Sequence, residues 1–158
     1  MRNVIIDIDG TLADCEHRLH HILEGEKDWI AFDAEIHADT PIWHMIEMAR
    51  IFNDAEICIM LLTGRNERTR QATMDWLSWY NVPYDMLEMR GLTDNRPASE
   101  IKVERLQQYN IKPAHVLSIF EDEPKTVRAF RDLGFHVCDV LEWKDGYAEA
   151  LEKGGRDA

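Results

Sequence analysis

The chain has 158 residues, with 18 Lys and Arg against 30 Asp and Glu, a formal net charge of −12 at pH 7. A polypeptide of this length with 45% hydrophobic residues and five Trp reads as one domain, residues 1–158, whose core needs no disulfide or metal staple, and intrinsic disorder is excluded. The longest apolar run, Ile57–Leu62, falls far short of the roughly 20 residues of a membrane span, and Met1-Arg2-Asn3 leads straight into a strand-like run, so neither a membrane segment nor a signal peptide is read.

Val4-Ile5-Ile6 is a continuous β-branched run, the pattern of a central strand covered on both faces. Asp14–Asp39 then interrupts the chain with a long charged stretch carrying Trp29 and Phe32, which predicts a small lid insertion. Thr40-Pro41 offers an N-cap followed by a proline at the first helical position, and Ile42, Met45, Ile46 and Ala49 continue at helical spacing, predicting a helix over Pro41–Phe52. Ile57–Leu62 predicts a second buried strand, and Glu67–Tyr80 a helix with Ala72, Trp76 and Trp79 on one face. A strand at Met86–Met89, a polar loop over Arg90–Ala98, and a helix over Ser99–Tyr109 follow. The last expected elements are a strand at Val116–Phe120, a helix over Lys125–Leu133 stopped by Gly134, a strand at His136–Val140, a weak helix over Gly146–Lys153, and a frayed tail over Gly154–Ala158. Strands alternating with helices define an α/β fold with a mostly parallel sheet, and such sheets bind ligands beyond the carboxyl ends of their strands.

Charged residues gather at those ends. Asp7-Ile8-Asp9-Gly10-Thr11 follows the first strand directly, and carboxylates two residues apart on extended backbone point the same way and can share a hard cation. An EF-hand loop is excluded because a strand, not a helix, precedes the motif. Thr63-Gly64-Arg65 closes the second strand with a hydroxyl and backbone amides suited to a phosphate, though Thr-Gly is also an ordinary turn. Lys102 sits near a helix start, where taken alone it reads as an ordinary surface lysine. Ile119-Phe120-Glu121-Asp122-Glu123-Pro124 repeats the first pattern, and carboxylates at two strand ends repel one another unless a divalent cation joins them. All-oxygen ligands favour Mg²⁺, and there is no cysteine and histidine cage for zinc.

In this order on an alternating α/β chain, Asp7-x-Asp9-Gly10-Thr11, Thr63, Lys102 and Glu121-Asp122 resemble the haloacid dehalogenase-like phosphatase superfamily over nearly the whole sequence. The resemblance implies a Rossmann-like three-layer α/β/α core and phosphoryl transfer through an aspartyl-phosphate. It assigns Asp7 as nucleophile, Asp9 as general acid and base, and Thr63 and Lys102 to the transferring phosphoryl oxygens. Asp122 would join Asp7 and the backbone carbonyl of Asp9 on the metal, with Glu121 orienting it or exchanging roles with it. A narrower likeness runs through Thr63-Gly64-Arg65-Asn66-Glu67, Trp76 to Val82-Pro83-Tyr84, and Met89-Arg90 through Asp94-x-Arg96 to Lys102, which look like the phosphatase domain of phage polynucleotide kinase/phosphatase. It implies a phosphorylated nucleic-acid 3′ end as substrate, bound at Gly10, Thr11 and Gly64. Guanidinium forks hold phosphates bidentately, so Arg65, Arg90 and Arg96 could bind the substrate's phosphate or flanking backbone, and surface salt bridges are the alternative for each.

No G-x-x-x-x-G-K-[ST] occurs, so a P-loop kinase half is absent and the chain reads as a stand-alone phosphatase. The net charge of −12 repels polyanions at long range, so extended non-specific nucleic-acid binding is not expected. A 5′-nucleotidase acting on (deoxy)nucleoside monophosphates needs the same core and is the alternative enzyme, while intact motif residues argue against a binding module without turnover. His17, His20 and His21 read as a polar helix and not as a metal site, and Trp29 and Phe32 as anchors of the lid sooner than platforms for a base. Cys15, Cys58 and Cys138, widely spaced and without C-x-x-C, predict buried thiols in a reducing, cytoplasmic setting.

Overall fold

A computed structural model of the chain describes residues 2–23 and 25–140. The expected helix over Gly146–Lys153 and the tail Gly154–Ala158 lie outside the described residues. Among these, no helix is long and apolar enough to cross a membrane.

Five strands, β1 (Asn3–Ile6), β4 (Cys58–Asn66), β5 (Met86–Arg90), β6 (Val116–Glu121) and β7 (Val137–Asp139), form one sheet in the order β5-β4-β1-β6-β7. Every neighbouring pair is parallel, and β1 is central. The period-2 alternation of the strands divides the core. Val4 and Ile6 of β1, with Ile59 and Leu61 of β4, pack against Met45, Ile46, Trp76 and Leu77. Ile5, Met60 and Leu62 face the other way, toward Leu106, Phe130 and Phe135. Helices α3 (Trp43–Asp54) and α4 (Arg70–Trp79) therefore cover one face, α5 (Ala98–Gln108) and α6 (Pro124–Asp132) the other, and the fold is the Rossmann-like α/β/α sandwich.

Three local readings are corrected. Thr40-Pro41 does not start α3. These residues form β3, pairing antiparallel with β2 (Ala13–Asp14), and the Ile42 amide bonds the Leu12 carbonyl at 2.8 Å, so tertiary pairing overrides the capping signal. The buried face of α4 is Thr73, Trp76 and Leu77, while Trp79 is 61% exposed. A tight 3₁₀ turn over Glu67–Thr69, capped by Asn66, sets a different helical phase from the one read from Glu67. Finally, of the cysteines only Cys15 is buried; Cys58 is partly buried and Cys138 exposed, and all three are free thiols.

The β2–β3 pair closes the base of the insertion, which holds α1 (His20–Leu23) and α2 (Trp29–Ala34). Asp28 caps α2 by accepting the Ala31 amide at 2.9 Å. Cys15, Leu19, Ile22 and Phe32 form the lid's own apolar cluster, with Trp29 packed against it edge to face with Phe32 at 5.7 Å between ring centres. The lid is thus a small folded unit on the carboxyl edge of the sheet.

Candidate active site

The carboxyl ends of β1, β4 and β6 bring together residues far apart in sequence. Asp7 leaves β1 with its amide on the Phe120 carbonyl of β6 at 3.0 Å, which fixes its height against Glu121 and Asp122. Lys102 reaches in from α5 and is 3% exposed, not a surface lysine. Its Nζ donates to Asp7 Oδ1 at 2.8 Å and to Glu121 Oε2 at 2.6 Å. Burial alone would lower its pKa, but the charges of Asp7 and Glu121 win and hold it above the ordinary lysine range, so it is a fixed positive charge.

Glu121 is equally constrained. Its Oε1 accepts the amides of Asp122 and Glu123 at 3.2 and 3.1 Å, and Oε2 is held by Lys102. Both Glu121 oxygens are thus engaged by other groups of the chain. Burial, with Asp7 and Asp122 close by, pushes the Glu121 carboxyl well above the usual range despite Lys102. Asp7, Glu121 and Asp122 are all buried, with carboxylate oxygens within 4.8 Å of one another; they form the one such cluster among the described residues, and no histidine of the lid joins it. Three buried carboxylates against one lysine leave excess negative charge in oxygen-only surroundings, and this donor set fits a hard divalent cation.

Gly10 makes that cluster possible. Its φ is +82°, and a Cβ on it would lie 1.8 Å from Asp122 Oδ2, so the absent side chain is the space that the carboxylate occupies. Thr11, expected on the substrate, is fully buried and is not among the residues that line the cleft.

Asp9 faces a ring of charge. Its Oδ1 accepts from Arg18 Nη2 at 2.8 Å and from Arg65 Nη2 at 2.6 Å, and Arg65 Nε spans both oxygens at 3.1 and 3.2 Å. The same two guanidiniums bind Asp39, Arg18 through Nε and Nη2 at 2.6 and 2.8 Å and Arg65 through Nη2 at 2.7 Å. Trp76 Nε1 donates to the Asp39 carbonyl at 2.9 Å, and Thr73 takes Arg65 Nη1. Burial would lower the Arg18 pKa, but the facing Asp9 and Asp39 carboxylates raise it. Burial raises the Asp39 carboxyl, opposed by its bond to Arg18. Arg65, expected on the substrate's phosphate or flanking backbone, lines the cleft with its fork bonded to Asp9 and Asp39.

A cleft of about 400 Å³ opens between sheet edge and lid, with Asp7, Asp9, Thr63, Gly64, Lys102 and Arg90 in its wall. Thr63 Oγ1 accepts the Arg65 amide at 3.2 Å, in the stretch of β4 where the register against β5 shifts between Leu62 and Asn66. Arg96 lies outside this cleft, half-exposed, between Asp94 at 2.7 Å and Glu104 at 2.5 Å. Two carboxylates engage its guanidinium, the surface ion-pair arrangement weighed as the alternative. Sequence reasoning missed Arg18 and Asp39, whose one hint was a buried-type charge pair bracketing the insertion. It also missed the Arg68–Asp33 bridge at 2.6 Å and Asn66, which ties the Gly91 and Leu92 carbonyls at 3.1 and 3.2 Å and so shapes the cleft wall.

Residues 1–143 match the family described as "Polynucleotide kinase PNKP phosphatase domain". A relative from Autographa californica nuclear polyhedrosis virus, named "Putative bifunctional polynucleotide kinase/RNA ligase", is 26% identical over 149 residues, 90% of this chain and 20% of the viral protein. A chain in the solved structure of the Pnkp1/Rnl/Hen1 complex superposes with a TM-score of 0.73 at 26% identity, covering 88% of this chain and 45% of its own length. The chain thus spans a fifth of the viral relative and under half of the complexed one. A haloacid dehalogenase-like hydrolase from Streptococcus pneumoniae shares the fold over 96% of this chain and 97% of its own, with a TM-score of 0.66 at 13% identity. With a matching family profile over most of its length, the chain belongs to the polynucleotide kinase phosphatase-domain family of haloacid dehalogenase-like enzymes and is a phosphatase.

Proposed function

We propose that this phosphatase is a Mg²⁺-dependent phosphomonoesterase that removes 3′-phosphates from nucleic-acid ends through an aspartyl-phosphate on Asp7. The observation that carries the chemistry is the buried Asp7 carboxylate, gripped on one oxygen by Lys102 and adjoining Asp122, with Asp9 two residues on and facing the same cleft. The names of the family and of the viral relative support a nucleic-acid end as substrate.

Lys102 fixes Oδ1 of Asp7, which orients the carboxylate for attack on phosphorus. As the Asp7–phosphorus bond forms, the phosphorus bond to the 3′ oxygen breaks, and Asp9 gives that oxygen a proton. Asp9 then takes a proton from water as the water oxygen attacks phosphorus, releasing inorganic phosphate and restoring Asp7. Asp9 Oδ1 takes the short bonds from Arg18 and Arg65, while Oδ2 takes a longer one from Arg65 Nε, at 3.2 Å, and is the oxygen we assign to the proton exchange. Thr63 and the Gly64 amide, with Lys102, receive the transferring oxygens. Asp7 and Asp122, with the Asp9 carbonyl, would hold Mg²⁺, which when bound would supply positive charge that offsets the phosphate.

The test is phosphate release from a 3′-phosphorylated oligonucleotide, a 3′-mononucleotide and a 5′-mononucleotide, with EDTA and with Asp7→Asn as controls. Mg²⁺-dependent release favouring 3′ substrates, abolished by Asp7→Asn, is the expected result. Preference for the 5′-mononucleotide would replace the reading with a nucleotidase, and substantial turnover by Asp7→Asn would remove the covalent step.

A further inference from the structure

The arginines around the cleft differ in one respect. Arg18 and Arg65 are held by Asp9 and Asp39, Arg68 by Asp33, and Arg96 by Asp94 and Glu104. Arg90 is half-buried in the cleft wall, and among the described residues no carboxylate lies within ion-pairing distance of it. Its Nε donates to the Gly64 carbonyl at 2.9 Å, and Nη1 to the carbonyls of Asp94 and Arg96 at 3.2 and 2.5 Å. Asp94, the acid that acts on it through space, is engaged by Arg96. Burial lowers the Arg90 pKa, the sign of a cation short of compensating charge. Three carbonyls thus aim the fork and leave Nη2 beside Gly64, where a Cβ built on that glycine would be 3.8 Å from it.

On the mechanism proposed above the reacting phosphoryl group is received by Lys102, Thr63 and the Gly64 amide, and the lid supplies an apolar wall of Ile22, Trp29 and Phe32 to the same cleft. We propose that Arg90 Nη2 binds a second anion, the phosphodiester that joins the 3′-terminal nucleotide to the rest of the strand, with the terminal nucleoside lying along the lid wall between the two phosphates. This rests on the 3′-phosphatase reading and narrows its substrate class from a mononucleotide to an end carrying at least one phosphodiester.

The experiment compares kcat/KM on a 3′-phosphorylated dinucleotide, the same dinucleotide with a neutral methylphosphonate linkage, and a nucleoside 3′-monophosphate, for the wild-type chain, Arg90→Lys and Arg90→Ala, with melting curves for each. The wild type should favour the phosphodiester substrate over both others by roughly tenfold or more, the size of one charge-assisted hydrogen bond. Arg90→Ala should collapse that ratio toward one and Arg90→Lys should restore part of it. The methylphosphonate arm needs no variant, so it tests the idea even if Arg90→Ala fails to fold. Equal wild-type rates on the charged and neutral linkages would overturn the assignment. So would an equal loss on all three substrates in Arg90→Ala, which would place Arg90 on the reacting phosphate. Release from a 5′-mononucleotide alone would overturn the 3′-end reading first, and the inference with it.

Discussion

Gly10→Ala is the sharpest perturbation the structure offers, since one methyl group meets the proposed metal ligand directly. The added Cβ would stand 1.8 Å from Asp122 Oδ2 and 2.4 Å from its Cγ, where ordinary contact begins at 3.4 Å. Backbone can yield little, because the Gly10 amide bonds the Ala13 carbonyl at 2.8 Å and the turn is closed by three bonds to the Ile8 carbonyl. The carboxylate must therefore retreat by roughly 1.5 Å, and a misplacement near 1 Å at a reacting centre costs on the order of 100-fold. Holding a non-glycine residue at φ +82° adds about 1–2 kcal/mol of strain, which a domain stable by roughly 5–15 kcal/mol survives. The expected variant is folded, with a melting temperature lowered by several degrees, kcat/KM down by about two orders of magnitude, and a Mg²⁺ titration midpoint shifted to higher concentration. Calorimetry and phosphate-release titrations measure all three. Wild-type kcat with an unshifted Mg²⁺ midpoint would refute the claim that Gly10 exists to admit Asp122.

Further outcomes follow from the remaining charges. Arg65→Lys keeps the charge but loses the fork shared by Asp9 and Asp39, so kcat should fall by on the order of 100-fold with KM little changed; a raised KM at constant kcat would return Arg65 to the substrate. Asp39→Ala leaves Arg18 and Arg65 short of a partner in a buried ring, and such losses cost about 3–5 kcal/mol, read as a lower midpoint in urea unfolding. Arg96→Ala, outside the cleft, should keep kcat/KM within roughly threefold on a mononucleotide, as exposed ion pairs contribute little. The Asp94 carboxyl is held down to about 2, chiefly by its hydrogen bond to Arg96. A depressed acid stabilises the fold above its unfolded value near 4, so that contribution should fade only as pH falls from about 4 toward 2. Carbon NMR of the Asp94 carboxyl checks this, and a midpoint near 4 would dissolve the pair.

What the sequence disclosed depended on how locally each feature is determined. The β1 and β4 runs announce themselves because a strand covered on both faces must be continuously apolar, and the residues after it are then placed by chain connectivity alone. Asp7, Asp9 and Thr63 were legible for that reason. Lys102 was legible only through motif order, since an isolated lysine on α5 says nothing of burial, yet its Nζ sits between two carboxylates. The arginines were the least readable. A guanidinium looks the same in sequence whether it meets Asp39 inside the lid base, Glu104 on the surface, or three carbonyls, and those partners lie 26, 8 and at most 26 residues away. The phase of α4 and the fate of Thr40-Pro41 failed similarly, because a 3₁₀ turn and a two-residue bridge were decided by tertiary packing.

The lid and Asp9, the proposed acid–base residue, are held by one set of contacts. Arg18 starts in the first turn of the lid and Asp39 ends it; between them the insertion folds over Phe32, whose ring lies 4.0 Å from the Arg18 guanidinium carbon. Arg65 and Trp76 reach Asp39 from the core, and Arg18 reaches Asp9 from the lid. The contacts that dock the insertion are therefore the contacts that orient Asp9. Loosening the lid should disorder Asp9 along with it, so that kcat and lid stability fall together in any variant of this ring, whereas variants of the outer lid surface, such as Ile30 at 79% exposure, should leave both in place.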